Sequence, residues 1–282
     1  MAYHDPVTQS RGRRRKALGQ HWLVDRRVLG RIARAAGIGP EDTVIEVGAG
    51  SGLLTGLLAQ RSARLIAVEV DPELAAGLRD RFRDRENVCV LEADVLSVAP
   101  EEILERGGGG LPYVVAGNLP YFIGSAIVRH FLTARAQPLR LLVTLQAEVA
   151  RNMAAAPGDM TFLSVEVQYY AEPRLLFELP PSAFRPPPKV RSAVLRLDVR
   201  EGTAVEVDDR ERFFRLVQAG FAARRKQLRN ALAIGLGCAA AEAEAVLASA
   251  GIEPGRRAQT LTLQEWAGLY RAYLAMAAGV PR

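Results

Sequence analysis

Thr43-Val44-Ile45-Glu46-Val47-Gly48-Ala49-Gly50-Ser51-Gly52 decides how this chain folds. A β-branched apolar run ends in a glycine-rich turn, and Leu53 to Leu58 continues as an apolar helix. Strand, tight turn and helix make the first unit of a doubly wound α/β sheet, which binds ligands beyond the carboxyl ends of its strands. The glycines let a ligand approach the backbone closely. The pattern is Glu-x-Gly-x-Gly-x-Gly, and Leu53 stands where a Gly-x-Gly-x-x-Gly dinucleotide fingerprint needs glycine. A carboxylate at Glu46 repels a pyrophosphate but suits a ligand with a positive amino-acid portion. A turn that binds nothing and a nicotinamide-dinucleotide site are the alternatives.

The following units narrow the choice. Leu65 to Asp71 reads as a buried strand ending in acids. Glu69 is placed to accept two ribose hydroxyls, in either kind of cofactor, whereas Asp71 followed by Pro72 reads as a helix cap before Glu73 to Phe82. A third strand, Val88 to Leu91, ends at Glu92-Ala93-Asp94. Asp94 either accepts from an adenine amino group or caps a helix. Glu46 and the departure from the dinucleotide fingerprint favour S-adenosylmethionine as cofactor. The fourth strand, Tyr113 to Ala116, leads through Gly117 to Asn118-Leu119-Pro120-Tyr121 and then an amphipathic run, Ile123 to Leu132. An amide oxygen and a peptide carbonyl can each accept one N–H of a planar exocyclic amine, and a ring can stack on its heterocycle. The plain alternative is a β-turn with a core tyrosine.

Upstream, residues 1–17 gather Arg11, Arg13, Arg14, Arg15 and Lys16 into an arm that is either solvated or touches phosphate. Asp25 is expected to cap a helix with Val28, Leu29, Ile32, Ala33 and Ala36 on one face, stopped by Gly37 and Gly39-Pro40. Downstream, Gly107 to Gly110 reads as a flexible surface connection, Leu139 to Leu145 as strand five and Ala147 to Ala155 as a helix. Leu163 to Tyr170 and Leu175 to Leu179 read as strands. Phe184 to Val190 reads as a stiff proline loop, and Ser192 to Val199 as the closing strand. From about residue 205 strand signals cease. The expected division is a Rossmann-like catalytic domain over 1–204 and a small C-terminal helical domain over 205–282. Arg224, Arg225, Lys226 and Arg229 form a basic segment on one of its helices. It is either a solvated face or a phosphate contact.

Composition agrees with a globular protein that meets a polyanion. The 282 residues are 49% hydrophobic and 24% charged, with a formal net charge of +6 and a pI near 9.7. No apolar run approaches the ~20 residues of a membrane span. No secretory signal pattern precedes the basic arm, and Cys89 and Cys238 lie far apart. A reduced, cytoplasmic protein is therefore expected. His4, His21 and His130 form no ligand cluster, so no metal is expected.

Taken together these pieces resemble the ribosomal RNA adenine N6,N6-dimethyltransferases, specifically the bacterial family acting on small-subunit (16S) rRNA. The resemblance spans nearly the whole chain. It rests on Leu18-Gly19-Gln20, the Glu46 to Gly52 loop, Val68-Glu69-Val70-Asp71, Ala93-Asp94 and Asn118-Leu119-Pro120-Tyr121. It continues through Gln146-x-Glu148-Val149-Ala150, Leu163-Ser164-Val165, Phe184-x-Pro186-Pro187-Pro188-Lys189-Val190 and Arg224-Arg225-Lys226. It departs from the family at His21-Trp22, where Asn-Phe is usual, at Ala49 for a common proline, and at Thr161-Phe162 for Gly-Arg.

The resemblance implies a class I S-adenosylmethionine-dependent methyltransferase. It implies cofactor contacts at His21, Leu23, Gly48, Glu69, Asp94 and Asn118, and Glu46, Gly50, Val70 and Ala93 complete the expected set. It implies transfer of two methyls to one adenine N6, with Asn118, Leu119 and Pro120 at the amine and Tyr121 and Phe184 as the faces that sandwich the base. The implied partner is 16S rRNA within a pre-30S small subunit, met by a monomer. The rivals are a large-subunit (23S) rRNA adenine methyltransferase of the macrolide-resistance type and a non-catalytic assembly or transcription factor. The Phe184 to Val190 segment and the long helical tail favour the small-subunit family. The acids at 46, 69 and 94 and the Asn118 loop argue against loss of catalysis.

Overall fold

The computed structural model describes residues 21–279. The basic arm at Arg11, Arg13, Arg14, Arg15 and Lys16, and the Leu18-Gly19-Gln20 motif, lie outside the described residues. By contacts the chain forms two bodies. One comprises the residues through Ala150 together with Arg174–Val199, and the other Arg151–Pro173 together with the residues from Arg200 on. The segment around 151–173 thus joins the helical body, where a single boundary after residue 204 was expected.

The first body opens with a short strand β1 (Trp22–Leu23) and helix α1 (Arg26–Ala35). Asp25 caps α1 as expected, accepting from the amides of Arg27 and Val28, and Leu29, Ile32, Ala33 and Ala36 are buried. Then come β2 (Thr43–Val47), α2 (Leu53–Leu58), β3 (Arg64–Glu69), α3 (Pro72–Arg81), β4 (Val88–Glu92), α4 (Pro100–Gly107), β5 (Tyr113–Asn118), α5 (Gly124–Leu132) and β6 (Arg140–Gln146). After helix α6 (Ala147–Met153) comes helix α7 (Phe162–Tyr170), which belongs to the helical body, and then β7 (Ala171–Leu179), β8 (Phe184–Arg185) and β9 (Ser192–Val199).

Seven strands form one sheet in the order β4-β3-β2-β5-β6-β9-β7. The pairs from β4 through β6 are parallel, and β9 runs antiparallel to β6. Strand β2 is buried at all five positions, as expected for a parallel strand covered on both faces. The register places Glu46 opposite Ala67, Glu69 opposite Glu92 and Asn118 opposite Thr144. All the acidic and amide residues singled out in the sequence therefore emerge along one carboxyl edge.

Three local expectations are corrected. Leu163 to Tyr170 is helical: the hydroxyls of Thr161 and Ser164 each accept the other's backbone amide in a capping box that starts α7. That cap outweighs the strand-like alternation of Leu163, Val165 and Val167. The connection at Gly107–Gly110 is not slack. A Cβ on Gly107 would overlap Ile66, one on Gly109 would lie 2.7 Å from Thr43 Cγ2, and Arg64 Nε donates to the Gly107 carbonyl. Those glycines let the chain pass tightly under the sheet. Phe184-Arg185 is not only a stiff loop, because it pairs antiparallel with Trp22-Leu23 in a second, two-stranded sheet.

The helical body contains α8 (Arg210–Phe221), α9 (Leu228–Leu236), α10 (Ala240–Ser249) and α11 (Leu263–Gly279). Trp266, Phe213 and Tyr270 are fully buried, and a Cβ on Gly235 would collide with the Ala219 backbone, so α8 and α9 meet closely. Among the described residues no single helix is long and apolar enough to cross a membrane.

One glycine ties this frame to the ligand edge. A Cβ on Gly117 would lie 2.5 Å from the Val47 carbonyl oxygen, a rigid backbone atom in the neighbouring strand. Gly117→Ala is expected to cost about 1–3 kcal/mol of folding stability, the usual range for overpacking a dense interior, read from denaturant melts. A melt superimposable on wild type would mean that the ends of β2 and β5 separate freely.

Candidate active site

The glycine loop is built by backbone geometry first. Gly48, Gly50 and Gly52 have φ of +69°, +56° and +76°, a left-handed region that side chains oppose. The turn is pinned to β3, since the amide of Gly48 donates to the Val68 carbonyl at 2.9 Å. Gly52 also needs its missing side chain, because a Cβ there would lie 2.8 Å from both Leu78 and Phe82. A Cβ on Gly48 or Gly50 would meet nothing closer than 3.8 Å. These two positions leave open space beside the backbone.

Glu69 closes the loop. Its side chain is buried, and each oxygen receives one backbone amide: Oε2 from Gly50 at 2.8 Å and Oε1 from Asp71 at 3.1 Å. A carboxylate has about four lone-pair directions, so both oxygens keep capacity for hydroxyl donors. Asp71 is the helix cap the sequence suggested, accepting from Glu73 and Leu74. Asp94 has two settings. It caps a short 3-10 turn by accepting from the Leu96 amide at 3.0 Å, and it also lines the cavity described below.

Glu46 is the electrostatic outlier. It is 2% exposed, and its Oε2 is buried without a partner. Burial, reinforced by the nearby Glu69 carboxylate, pushes its carboxyl up to about 8, while the neighbouring Thr55 opposes the shift. A buried acid poised in this way favours an incoming cation, which would restore its charge.

The Asn118 loop is held from three sides. The Leu119 amide donates to the Thr144 carbonyl at 3.1 Å, and the Ile123 amide donates to the Pro120 carbonyl at 3.2 Å. Asn118 Nδ2 donates to the His21 carbonyl at 2.9 Å, which leaves the buried Asn118 Oδ1 without a partner. The Tyr121 hydroxyl pairs with Ser192 Oγ at 2.6 Å, and the Tyr121 ring stacks against His21 with centroids 5.3 Å apart. His21 Nδ1 lies 2.8 Å from the Pro186 carbonyl oxygen. That oxygen can only accept, so Nδ1 carries the proton.

A cavity of about 320 Å³ joins these parts, within the range of small-molecule sites. Its lining includes His21, Leu23, Glu46, Gly48, Gly50, Glu69, Val70, Ala93, Asp94 and Asn118, together with Leu119, Pro120 and Tyr121. Phe184 stands apart. It is 3% exposed, packs in the core with Leu23, Leu29 and Ala183, and does not line the cavity. The β1–β8 pairing draws its ring inward, so it has no open face for a base. Sequence reasoning passed over Trp22 and Phe122, which do line the cavity. Their adjacency to His21 and Tyr121 was the available signal.

The basic segment lies in the other body. Arg224, Arg225 and Lys226 are exposed in the turn between α8 and α9, not on a helix, and no carboxylate pairs with them among the described residues. Arg229 lies on α9 and pairs with Glu244 at 3.3 Å.

The cavity suits S-adenosylmethionine. The orphaned Glu46 Oε2 can take a cationic amino-acid end, Glu69 the two hydroxyls, Asp94 an amino group, and the bare glycine backbone permits close approach. A diphosphate would face three carboxyl groups.

Comparison with known proteins agrees. Residues 11–271 match the family model described as ribosomal RNA adenine dimethylase. The chain is 44% identical over 261 residues to "Ribosomal RNA small subunit methyltransferase A" of Dehalococcoides mccartyi, covering 93% of this chain and 89% of that protein. It is 44% identical to the protein of the same name from Moorella thermoacetica, covering 91% of each. Among solved structures, the 23S rRNA methyltransferase ErmE superposes with a TM-score of 0.70 at 30% identity, over 89% of this chain and 98% of that one. A dimethyladenosine transferase from Plasmodium falciparum superposes with a TM-score of 0.76 at 21% identity, over 91% of this chain and 98% of that one, a likeness of fold. The chain belongs to the ribosomal RNA adenine dimethylase family, whose members draw methyl groups from S-adenosylmethionine.

Proposed function

We propose that this protein dimethylates N6 of adenines in 16S rRNA within a pre-30S particle, acting as a cytoplasmic monomer during small-subunit assembly. The observation behind this reading is the Asn118 amide, whose nitrogen is held by the His21 carbonyl while its buried oxygen has no partner. An acceptor fixed in this way is what an exocyclic amine requires. The choice of small over large subunit is supported by 44% identity to the small-subunit enzymes against 30% to ErmE.

The bound cofactor supplies an electrophilic methyl carbon on a sulfonium. In this reading the chain's residues place the nucleophile. Asn118 Oδ1 and the Leu119 carbonyl accept the two N6 hydrogens and turn the nitrogen lone pair away from the ring, toward the methyl. Tyr121, held by Ser192 and His21, offers a stacking face to the extruded adenine. A cofactor held by Glu46, Glu69 and Asp94 would supply the methyl and depart as its neutral thioether, and the methylated nitrogen, then acidic, would lose its proton to water. No residue need act as base before transfer, so positioning supplies most of the rate gain. The second methyl repeats this with one N6 hydrogen left. Arg224, Arg225 and Lys226 neutralise rRNA phosphates.

Three outcomes follow. Wild-type protein is expected to transfer labelled methyl to adenine N6 in undermethylated small subunits; label on large subunits alone would sink the assignment. Asn118→Ala should slow single-turnover transfer ~10²–10³-fold, as loss of a positioned polar group at a reacting centre does, with little change in RNA affinity.

Replacing Arg224, Arg225 and Lys226 together by alanine should weaken RNA binding and reduce its salt slope by roughly two to three units. An unchanged slope in filter-binding titrations would make the turn a solvated surface.

Glu46 predicts a pH dependence of folding. The unfolded chain releases this proton near 4.5 and the folded chain near 8, so the native state binds more protons between these values. Stability attributable to Glu46 is full below about 4.5 and is lost as pH rises through about 8. Glu46→Gln should therefore gain stability relative to wild type as pH rises from 5 to 9 in cofactor-free melts. A constant difference across that range would place the carboxyl in water.

A further inference from the structure

Phe122 is 62% exposed, and among the described residues it is the only aromatic side chain with such exposure. Isolated exposed apolar residues are ordinary, but this one occupies a particular place. It directly follows Asn118-Leu119-Pro120-Tyr121 and lines the same cavity. Its backbone is not a loose tip. Phe122 is the third residue of a turn closed by the Ile123 amide on the Pro120 carbonyl, and the Ile123 carbonyl accepts from Ile127 to open α5. The preceding residue is fixed through Ser192 and His21. No other aromatic ring stacks on Phe122 among the described residues. The molecule thus holds a bare phenyl ring on rigid backbone at the rim of the site that takes a base.

A base drawn out of its stack leaves its neighbours in the strand with an uncovered face. Any aromatic surface beside the entry can cover such a face, and stacking of this kind is tolerant of base identity. We propose that Phe122 is a stacking platform for the unpaired nucleobase adjacent to the target adenine in the RNA strand. This rests on the RNA reading above. Phe122 binds the flank of the substrate, while Asn118 and Leu119 engage the reacting nitrogen. Its contribution therefore falls on RNA capture rather than on the methyl-transfer step.

The test uses the full-length protein with S-adenosylmethionine and undermethylated small ribosomal subunits. Phe122→Ala should raise KM for subunits roughly tenfold, in line with alanine substitutions at base-stacking aromatics, while kcat stays within about threefold. Phe122→Trp should keep the wild-type KM and Phe122→Leu should not, since a flat face and not apolar bulk is required. The added indole of Phe122→Trp should also lose fluorescence when subunits bind, after subtraction of the wild-type signal. A Phe122→Ala enzyme with wild-type KM, a leucine variant that restores it, or an unquenched indole overturns the platform and leaves the proposed function standing. Absence of transfer by the wild-type protein itself overturns both.

Discussion

A single carboxylate holds the ligand edge of this molecule together. Glu69 ends β3 and receives one backbone amide from the glycine loop after β2 and another from the entry to α3. Charge-assisted bonds of this type are roughly twice as strong as neutral ones, and here they join two successive βα turns. The left-handed glycines can adopt their path because this anion satisfies the Gly50 amide. The same oxygens then face the cavity. Scaffold and cavity wall are thus one group, and the sequence marks it only as an acid at a strand end.

The parallel sheet was legible because its signals are local. Largely apolar runs of four or five residues, each ended by glycine or an acid, mark β2, β3, β4 and β5, and Asp25 and Asp71 cap their helices as read. The residues that line the cavity followed, because parallel strands in register deliver their carboxyl ends to one edge. What escaped depends on partners distant in sequence or on a competing short-range bond. The run at Leu163 alternates like a strand, yet two hydroxyls at Thr161 and Ser164 start a helix. Four consecutive glycines look like slack, yet two of them are sites where Ile66 and Thr43 leave no room for a Cβ. Phe184 looks like a free ring beside prolines, but pairing with Leu23, 161 positions earlier, turns it into the core.

Two electrostatic regimes coexist in the chain. Inside the cavity three acids gather although the protein carries a net charge of +6. Glu46 is held near neutrality by burial and by Glu69, so the pocket does not accumulate three full negative charges before a cation arrives. Outside, arginines and a lysine with no carboxylate partner among the described residues occupy an exposed turn, where salt screens them and a polyanion can displace their counterions. A small cation and a large anion can therefore use the same molecule without competing for one surface.

The β1–β8 pair has a consequence for when the protein becomes competent. The His21 carbonyl that holds the Asn118 amide lies 97 positions away from it, and the His21 ring is tied to Pro186 across 165. Closing chain loops of that length must be repaid by contacts that form only afterwards. The glycine turn and its helix need only neighbouring strands, whereas His21, Leu23 and Asn118 on the same cavity wall depend on contacts of long sequence range. The Asn118 amide is oriented by His21, which is itself tied to a segment synthesised 165 residues later. The cavity wall at His21 is therefore complete only after the chain has been translated past Pro186.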